Sequence, residues 1–193
     1  MPLRAIPLQN LIRFLFAMSL HIIIDGYNLI RQSHALSAVE HESLEAGRDA
    51  LIESLIAYRK MRPHPITVVF DGAEADATLQ GQKRRRAGID ILFSHKGELA
   101  DTVIKRLASQ ETQRAVIVSS DKEIADYAEQ QGAAVIGVAE FEEKMKAAIR
   151  STSAAMPLDP DESTGWKPTT KKKGPSRRRS KRERQRKIRT RKL

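Results

Sequence analysis

Four aspartates stand where chemistry is usually built. Asp25 ends the branched apolar run Ile22, Ile23, Ile24, and Asp71 ends the run Ile66 to Phe70. Each is followed by a glycine, Gly26 and Gly72. Asp101 comes three residues after Glu98, just ahead of Val103, Ile104 and Leu107. Asp121 follows the run Ala115 to Val118 through Ser119 and Ser120. If the apolar runs are parallel strands, these acids converge on the carboxyl edge of one sheet, where ligands collect in open α/β folds. Carboxylates brought together repel and raise one another's pKa, and a divalent cation relieves that repulsion. Oxygen-only ligands select Mg²⁺ or Mn²⁺ over thiophilic metals. Such a cluster is equipped to hydrolyse a phosphodiester, by generating hydroxide and stabilising the leaving oxygen. Each acid also has a plainer use: a turn for Asp71, a helix cap for Asp121, a favourable helix dipole for Glu98 and Asp101. Those uses do not explain why four acids fall at corresponding places.

The elements that would carry them read as alternating strands and helices. Short β-branched runs bounded by Asp-Gly are the mark of strands buried on both faces. Strands are expected at 22–24, 66–70, 89–93, 115–118 and 133–138. Helical spacing of Leu44, Leu51, Ile52, Leu55 and Ile56 predicts a helix over 43–61, stopped by Pro63 and Pro65. Further helices are expected over 98–109, 122–130, closed by Gly132, and 140–150. Residues 31–42 and 73–87 read as polar connections, the second holding Lys83, Arg84, Arg85 and Arg86 between two strands. The alternation argues for an α/β fold, a mostly parallel sheet with helices on both faces.

The ordered set Asp25-Gly-Tyr-Asn28, Val-Val-Phe-Asp71-Gly72, Glu98-Leu-Ala-Asp101 and Val-Ser-Ser-Asp121 resembles the NYN domain of the YacP-like family, within the PIN-like nuclease superfamily. The motifs span about residues 19–150. The resemblance implies a PIN-like three-layer α/β/α sandwich. It implies a metal-dependent endoribonuclease that cuts mRNA associated with the ribosome. By position, Asp25, Asp101 and Asp121 match the acidic metal-binding residues, with Asn28 and Asp71 supporting them. Glu98 joins the metal candidates through its place beside Asp101.

Charge is unevenly placed along the 193 residues, whose formal net charge is +10. From Lys167 onward there are 15 Lys/Arg against the single acid Glu183, a balance of +14, and the preceding residues carry −4. A mildly acidic body with a basic tail points to an anionic partner, most simply RNA. Lys171, Lys172, Lys173, Arg177, Arg178 and Arg179 are the tail's phosphate-binding candidates, and Lys83 to Arg86 those of the body. Residues 18–150 are read as the nuclease domain and 151–193 as a disordered linker and basic tail, too poor in apolar residues to fold alone. Residues 1–17 are read as a nonessential extension or a start-site artefact, since Met18 immediately precedes the first strand. Its greasy patch is too short to span a bilayer, and Arg13 breaks the apolar core a secretory signal needs. The absence of Cys excludes disulfides and thiolate metal sites, and fits a reducing cytoplasm. A noncatalytic RNA- or ribosome-binding protein is the competing reading. Tyr27 stands where a haloacid-dehalogenase-like phosphatase would place a second Asp, which disfavours that class. No Walker-type phosphate loop is present.

Overall fold

The computed structural model describes residues 19–153 and 188–190. Strand β1 (His21–Asp25) lies at the centre of a six-stranded sheet, between β2 (Ile66–Phe70) and β5 (Ala115–Val118), parallel to both. The strand order is β3-β4-β2-β1-β5-β6, with β4 (Ile89–Phe93) parallel to β2 and β6 (Ala134–Ile136) parallel to β5. Only β3 (Lys83–Arg86) runs antiparallel, as the edge strand beside β4. The chain leaves β1 towards β2 and later returns to β5 on its other flank. That reversal opens a crevice outside the carboxyl ends of β1 and β5.

The alternation of side chains along β1 divides the core into two layers. Ile22 and Ile24 pack with Leu51, Leu55, Tyr58 and Phe141, from α3 (Leu44–Met61) and α6 (Val138–Ser153). Ile23 packs on the other face with Val103, Ile104, Ile124 and Ala128, from α4 (Ala100–Glu111) and α5 (Lys122–Gln130). All three isoleucines are fully buried. The outcome is the expected three-layer α/β/α sandwich with a mostly parallel sheet.

Two polar stretches differ from the sequence reading. Residues 31–42 are not a connection but the end of α1 (Gly26–Gln32) and all of α2 (His34–Glu40). Ser33 joins the two: its amide closes α1 on Leu29 and Ile30, and its hydroxyl oxygen accepts from Leu36 N at 3.3 Å to open α2. Each helix has only seven residues, too few for a hydrophobic period to show. Lys83 to Arg86 are likewise not a loop but β3 itself, exposed at all four positions. Their order comes from backbone pairing to β4, which leaves no apolar signature in the sequence.

Both Asp-Gly glycines are dictated by space rather than by a left-handed backbone. A β-carbon on Gly26 would fall 2.3 Å from the Phe70 ring, and one on Gly72 would fall 2.1 Å from the Ser94 carbonyl oxygen. Phe70 stands in an aromatic row with Tyr27, edge-on at 5.1 Å, and Phe93, stacked at 5.6 Å. Gly26→Ala is therefore expected to force this row apart and destabilise the fold by about 1–3 kcal/mol, the usual cost of overpacking. Urea unfolding of the variant beside the wild type measures it. An unchanged midpoint would show that the ring moves aside freely.

Candidate active site

Asp25 ends the central strand and is 9 % exposed. Its Oδ1 accepts from Asn28 N at 3.3 Å and so caps α1, while its Oδ2 accepts from Ser119 Oγ at 3.2 Å. The same Ser119 hydroxyl oxygen accepts from Asp121 N at 3.1 Å, tying the ends of β1 and β5 together. Asn28 strengthens that tie: its Oδ1 accepts from Ser120 N at 3.0 Å and from Gln32 Nε2 at 3.2 Å. Gln32 Oε1 in turn accepts from Ser120 Oγ at 2.7 Å. The Asp-Gly-Tyr-Asn segment thus has a task for each residue. Asp25 caps, Gly26 makes room, Tyr27 packs on Phe70 while taking a 2.9 Å bond from Arg48, and Asn28 clamps the opposite loop.

Asp121 caps α5 through Oδ1, which accepts from Glu123 N at 2.6 Å and Ile124 N at 3.2 Å. Its other oxygen takes no part in the cap. Asp101 lies in the first turn of α4. Asp71 accepts from Ala73 N at 2.8 Å through Oδ1 and reaches the amide of Ala100, the first residue of α4, at 3.5 Å through Oδ2. It therefore orients the turn that presents Asp101.

Electrostatics show which acids share a field. Burial raises Asp25 to a pKa of about 6; its two hydrogen bonds pull the other way, and the charges of Asp101 and Asp121 add to the rise. Asp101 is raised as well, by burial first and then by Asp121, with Lys105 opposing. Asp25, Asp101 and Asp121 form one cluster at the switch point of the sheet. Glu98 is held elsewhere. Its Oε1 accepts from Arg106 Nη1 at 2.7 Å and its Oε2 from His95 N at 3.3 Å, and Arg106 lowers its pKa. It does not figure among the charges that shift Asp25 or Asp101. Two charged residues that the sequence reading passed over border the cluster instead: Lys105, one turn beyond Asp101, and Glu123, two residues beyond Asp121. They form an ion pair between α4 and α5. Nothing local in the sequence marks that pair, since it depends on how the two helices dock.

Among the described residues, no three carboxylate or imidazole groups close into a coordination set. The arrangement is an open acidic mouth. That fits Mg²⁺, which keeps several waters and uses one or two protein carboxylates together with substrate phosphates.

The cations fall into two groups. On β3, Arg86 pairs with Asp49 at 3.0 Å and with Glu53, and Arg85 lies 3.8 Å from Asp90. Arg84 Nε donates to the neutral Gln82 Oε1 at 3.0 Å. Lys83 pairs with Leu92 near the carboxyl end of β4, so of the four it stands closest to the carboxyl edge of the sheet. Lys171 to Lys173 and Arg177 to Arg179 lie outside the described residues, as do residues 1–17. Near the end of the tail, Ile188 to Thr190 form a helical turn in which Thr190 is buried and Arg189 Nη1 donates to Gly132 O at 2.6 Å.

A model of the YacP-like NYN domain matches residues 22–190. The chain belongs to the YacP-like NYN domain family. The match extends beyond the motifs, whose last member is Asp121, into the basic tail. Uncharacterized protein YacP of Bacillus subtilis (strain 168) is 30% identical over 87 residues, 45% of this chain and 50% of that protein. The chain thus spans half the length of that curated relative. The crystal structure of Rae1 (YacP) from Bacillus subtilis superposes with a TM-score of 0.59 at 25% identity, covering 70% of this chain and 78% of that one. A tryptophan-to-leucine mutant of Rae1 gives the same TM-score of 0.59 at 22% identity, over 71% and 86% of the two chains, and supports the fold.

The buried charge of Asp25 has a consequence for stability. A pKa raised in the folded state means that the native protein binds the extra proton between about pH 4 and 6. Its stability therefore falls as pH rises through that window, and ionised Asp25 is a cost above it. Asp25→Asn keeps the size and the acceptor oxygen while removing the charge. In metal-free buffer it is expected to be more stable than the wild type at neutral pH, by at most about 3 kcal/mol. The gain should vanish below about pH 4. Denaturation across pH checks this; a pH-independent difference would refute the buried-charge account.

Proposed function

We propose that this chain is a metal-dependent endoribonuclease. The observation that carries the reading is the shared field of Asp25, Asp101 and Asp121 at the carboxyl edge of β1 and β5. Family membership supports nuclease chemistry. Asp25, Asp101 and Asp121 would hold Mg²⁺ or Mn²⁺ partly through its retained waters, and the ion would supply a nucleophilic hydroxide and stabilise the leaving oxygen. The chain's own residues do the positioning. Ser119 and Asn28 lock Asp25 against the β5 loop, and Asp71 sets the first turn of α4. The substrate is RNA, and on the family resemblance it is mRNA on the ribosome. The excess of cations in the tail favours such a polyanionic partner. Among the described residues no helix is long and apolar enough to cross a membrane. We place the protein in the cytoplasm, with the substrate.

Lys83 and Arg84 would receive the RNA beside the site. They are the two β3 cations with no carboxylate partner of their own among the described ion pairs, and β3 lies three strand spacings, about 14 Å, from β1. Arg85 and Arg86 are already engaged by acids.

Two measurements test the reading. Purified protein given RNA and Mg²⁺ or Mn²⁺ should cut internally, and EDTA should stop it. Asp25→Asn and Asp121→Asn should each lower the rate at least about 100-fold, the scale of losing a group that stabilises transition-state charge. Asn caps a helix as well as Asp does, so Asp121→Asn should retain α5 and fold normally by circular dichroism. Full activity in Asp25→Asn, or robust cleavage in EDTA, would refute the mechanism. Separately, the Lys83→Ala, Arg84→Ala double variant should weaken RNA binding and reduce its salt dependence, while Arg85→Ala should do so less. Equal effects would remove the distinction between free and engaged cations.

A further inference from the structure

Lys105 has no part in the proposal above, yet its position is unusual for a lysine. It lies one turn beyond Asp101 on α4, so both residues project from the same face of the helix. Its side chain is only 22 % exposed, whereas its partner Glu123 is 78 % exposed. The ammonium crosses from α4 to the first turn of α5, joining the two helices whose N-termini carry Asp101 and Asp121. An ordinary surface ion pair between two long side chains contributes little to stability. This one stands in the combined field of Glu123, Asp101 and Asp121: the hydrogen bond to Glu123 raises the lysine's pKa most, and the three charges add to the rise. The acid cluster has no other described cation opposing it at Asp101.

We propose that Lys105 is the built-in counter-ion of the acid cluster and competes with the divalent cation for it. This rests on the metal-dependent reading. Without metal, the Lys105 ammonium offsets part of the mutual repulsion of Asp101, Asp121 and Glu123 and holds α4 and α5 in register. When a divalent cation binds, the same ammonium becomes a like charge acting on the same acids and weakens that binding. Lys105 therefore sets how much divalent cation the site requires before it fills. It is a positioning residue that acts through the cluster, not a metal ligand.

The test is Mg²⁺ binding to the full chain at constant ionic strength, followed by calorimetry and by the metal-induced rise in Tm, at a pH where Asp25 is ionised. Lys105→Met should melt lower than the wild type in metal-free buffer. It should bind Mg²⁺ roughly tenfold more tightly, the order of effect one unit charge exerts on a nearby divalent ion. Lys105→Arg keeps the charge and should bind Mg²⁺ like the wild type. Lys105→Gln offers a second neutral variant with a polar end and should follow Lys105→Met. If both neutral variants bind Mg²⁺ no more tightly than the wild type, the counter-ion role is refuted while the metal site stands. If the wild type shows no Mg²⁺ binding that Asp25→Asn abolishes, the metal reading falls and takes this inference with it.

Discussion

The carboxylate of Asp25 is the constraint on which the rest of this structure depends. It is a buried charge at the end of a central strand, and burial alone would expel it or keep it protonated. Two hydrogen bonds, from the Asn28 amide and the Ser119 hydroxyl, offset that pressure only in part. The structure around it follows from the need to hold this group in place. The chain must turn at once into α1 so that the Asn28 amide reaches it. The β5 loop must come alongside so that Ser119 does. The same loop then delivers Asp121, and its seat against Asn28 fixes where that second charge stands. A stability cost at one residue is thus converted into the geometry of a site, and under the proposed function relief of that cost would help drive cation binding.

The two Asp-Gly pairs show the same economy at neighbouring strands. In each, the aspartate bonds to backbone amides and the glycine lets another part of the fold approach closer than any side chain would allow. For Gly26 the visitor is the Phe70 ring, itself the last residue before Asp71. For Gly72 it is the backbone at Ser94, just past the end of β4. The Ser94 hydroxyl also accepts from Gly72 N at 2.8 Å. The carboxyl edge is therefore packed from one strand to the next: β1 against β2 through Gly26 and Phe70, β2 against β4 through Gly72 and Ser94. This close packing supports the acids from beneath.

Much of the fold was legible in the sequence, because strand, acid and glycine recur in the pattern of a parallel sheet. Ile22 to Ile24 and Ile66 to Phe70 announce buried strands by composition alone. The long helix α3 announces itself by period. What was not legible depended on tertiary contact. The helices at 26–40 are held by serine caps and by anchors such as the 2.5 Å bond from Ser33 to Glu142, 109 residues away, not by an apolar stripe. The run Lys83 to Arg86 reads as a solvated loop because a charged edge strand has no hydrophobic face, and such charge is what protects a sheet edge from unwanted pairing. Glu98 looked like a partner of Asp101 by spacing. Arg106, two turns along the helix, takes it instead.

An RNA substrate, as proposed, would have to approach an acidic mouth, and the register of β3 bears on how it could. β3 runs antiparallel to β4, so its residues step away from the carboxyl edge in order: Lys83 opposite Leu92, Arg84 opposite Ile91, Arg85 opposite Asp90, Arg86 opposite Ile89. The acids that neutralise this run are placed at its far end. Asp49 and Glu53 take Arg86, and Asp90 lies near Arg85. Among the described residues, positive charge is therefore uncompensated by acids at the end of the strand nearest the carboxyl edge and cancelled at the end farthest from it. A uniform stripe of four cations would hold a phosphate chain anywhere along the sheet edge. The graded one would favour the carboxyl end of β3, so that under the proposed function attraction there and repulsion at the acids would together restrict where an RNA backbone lies.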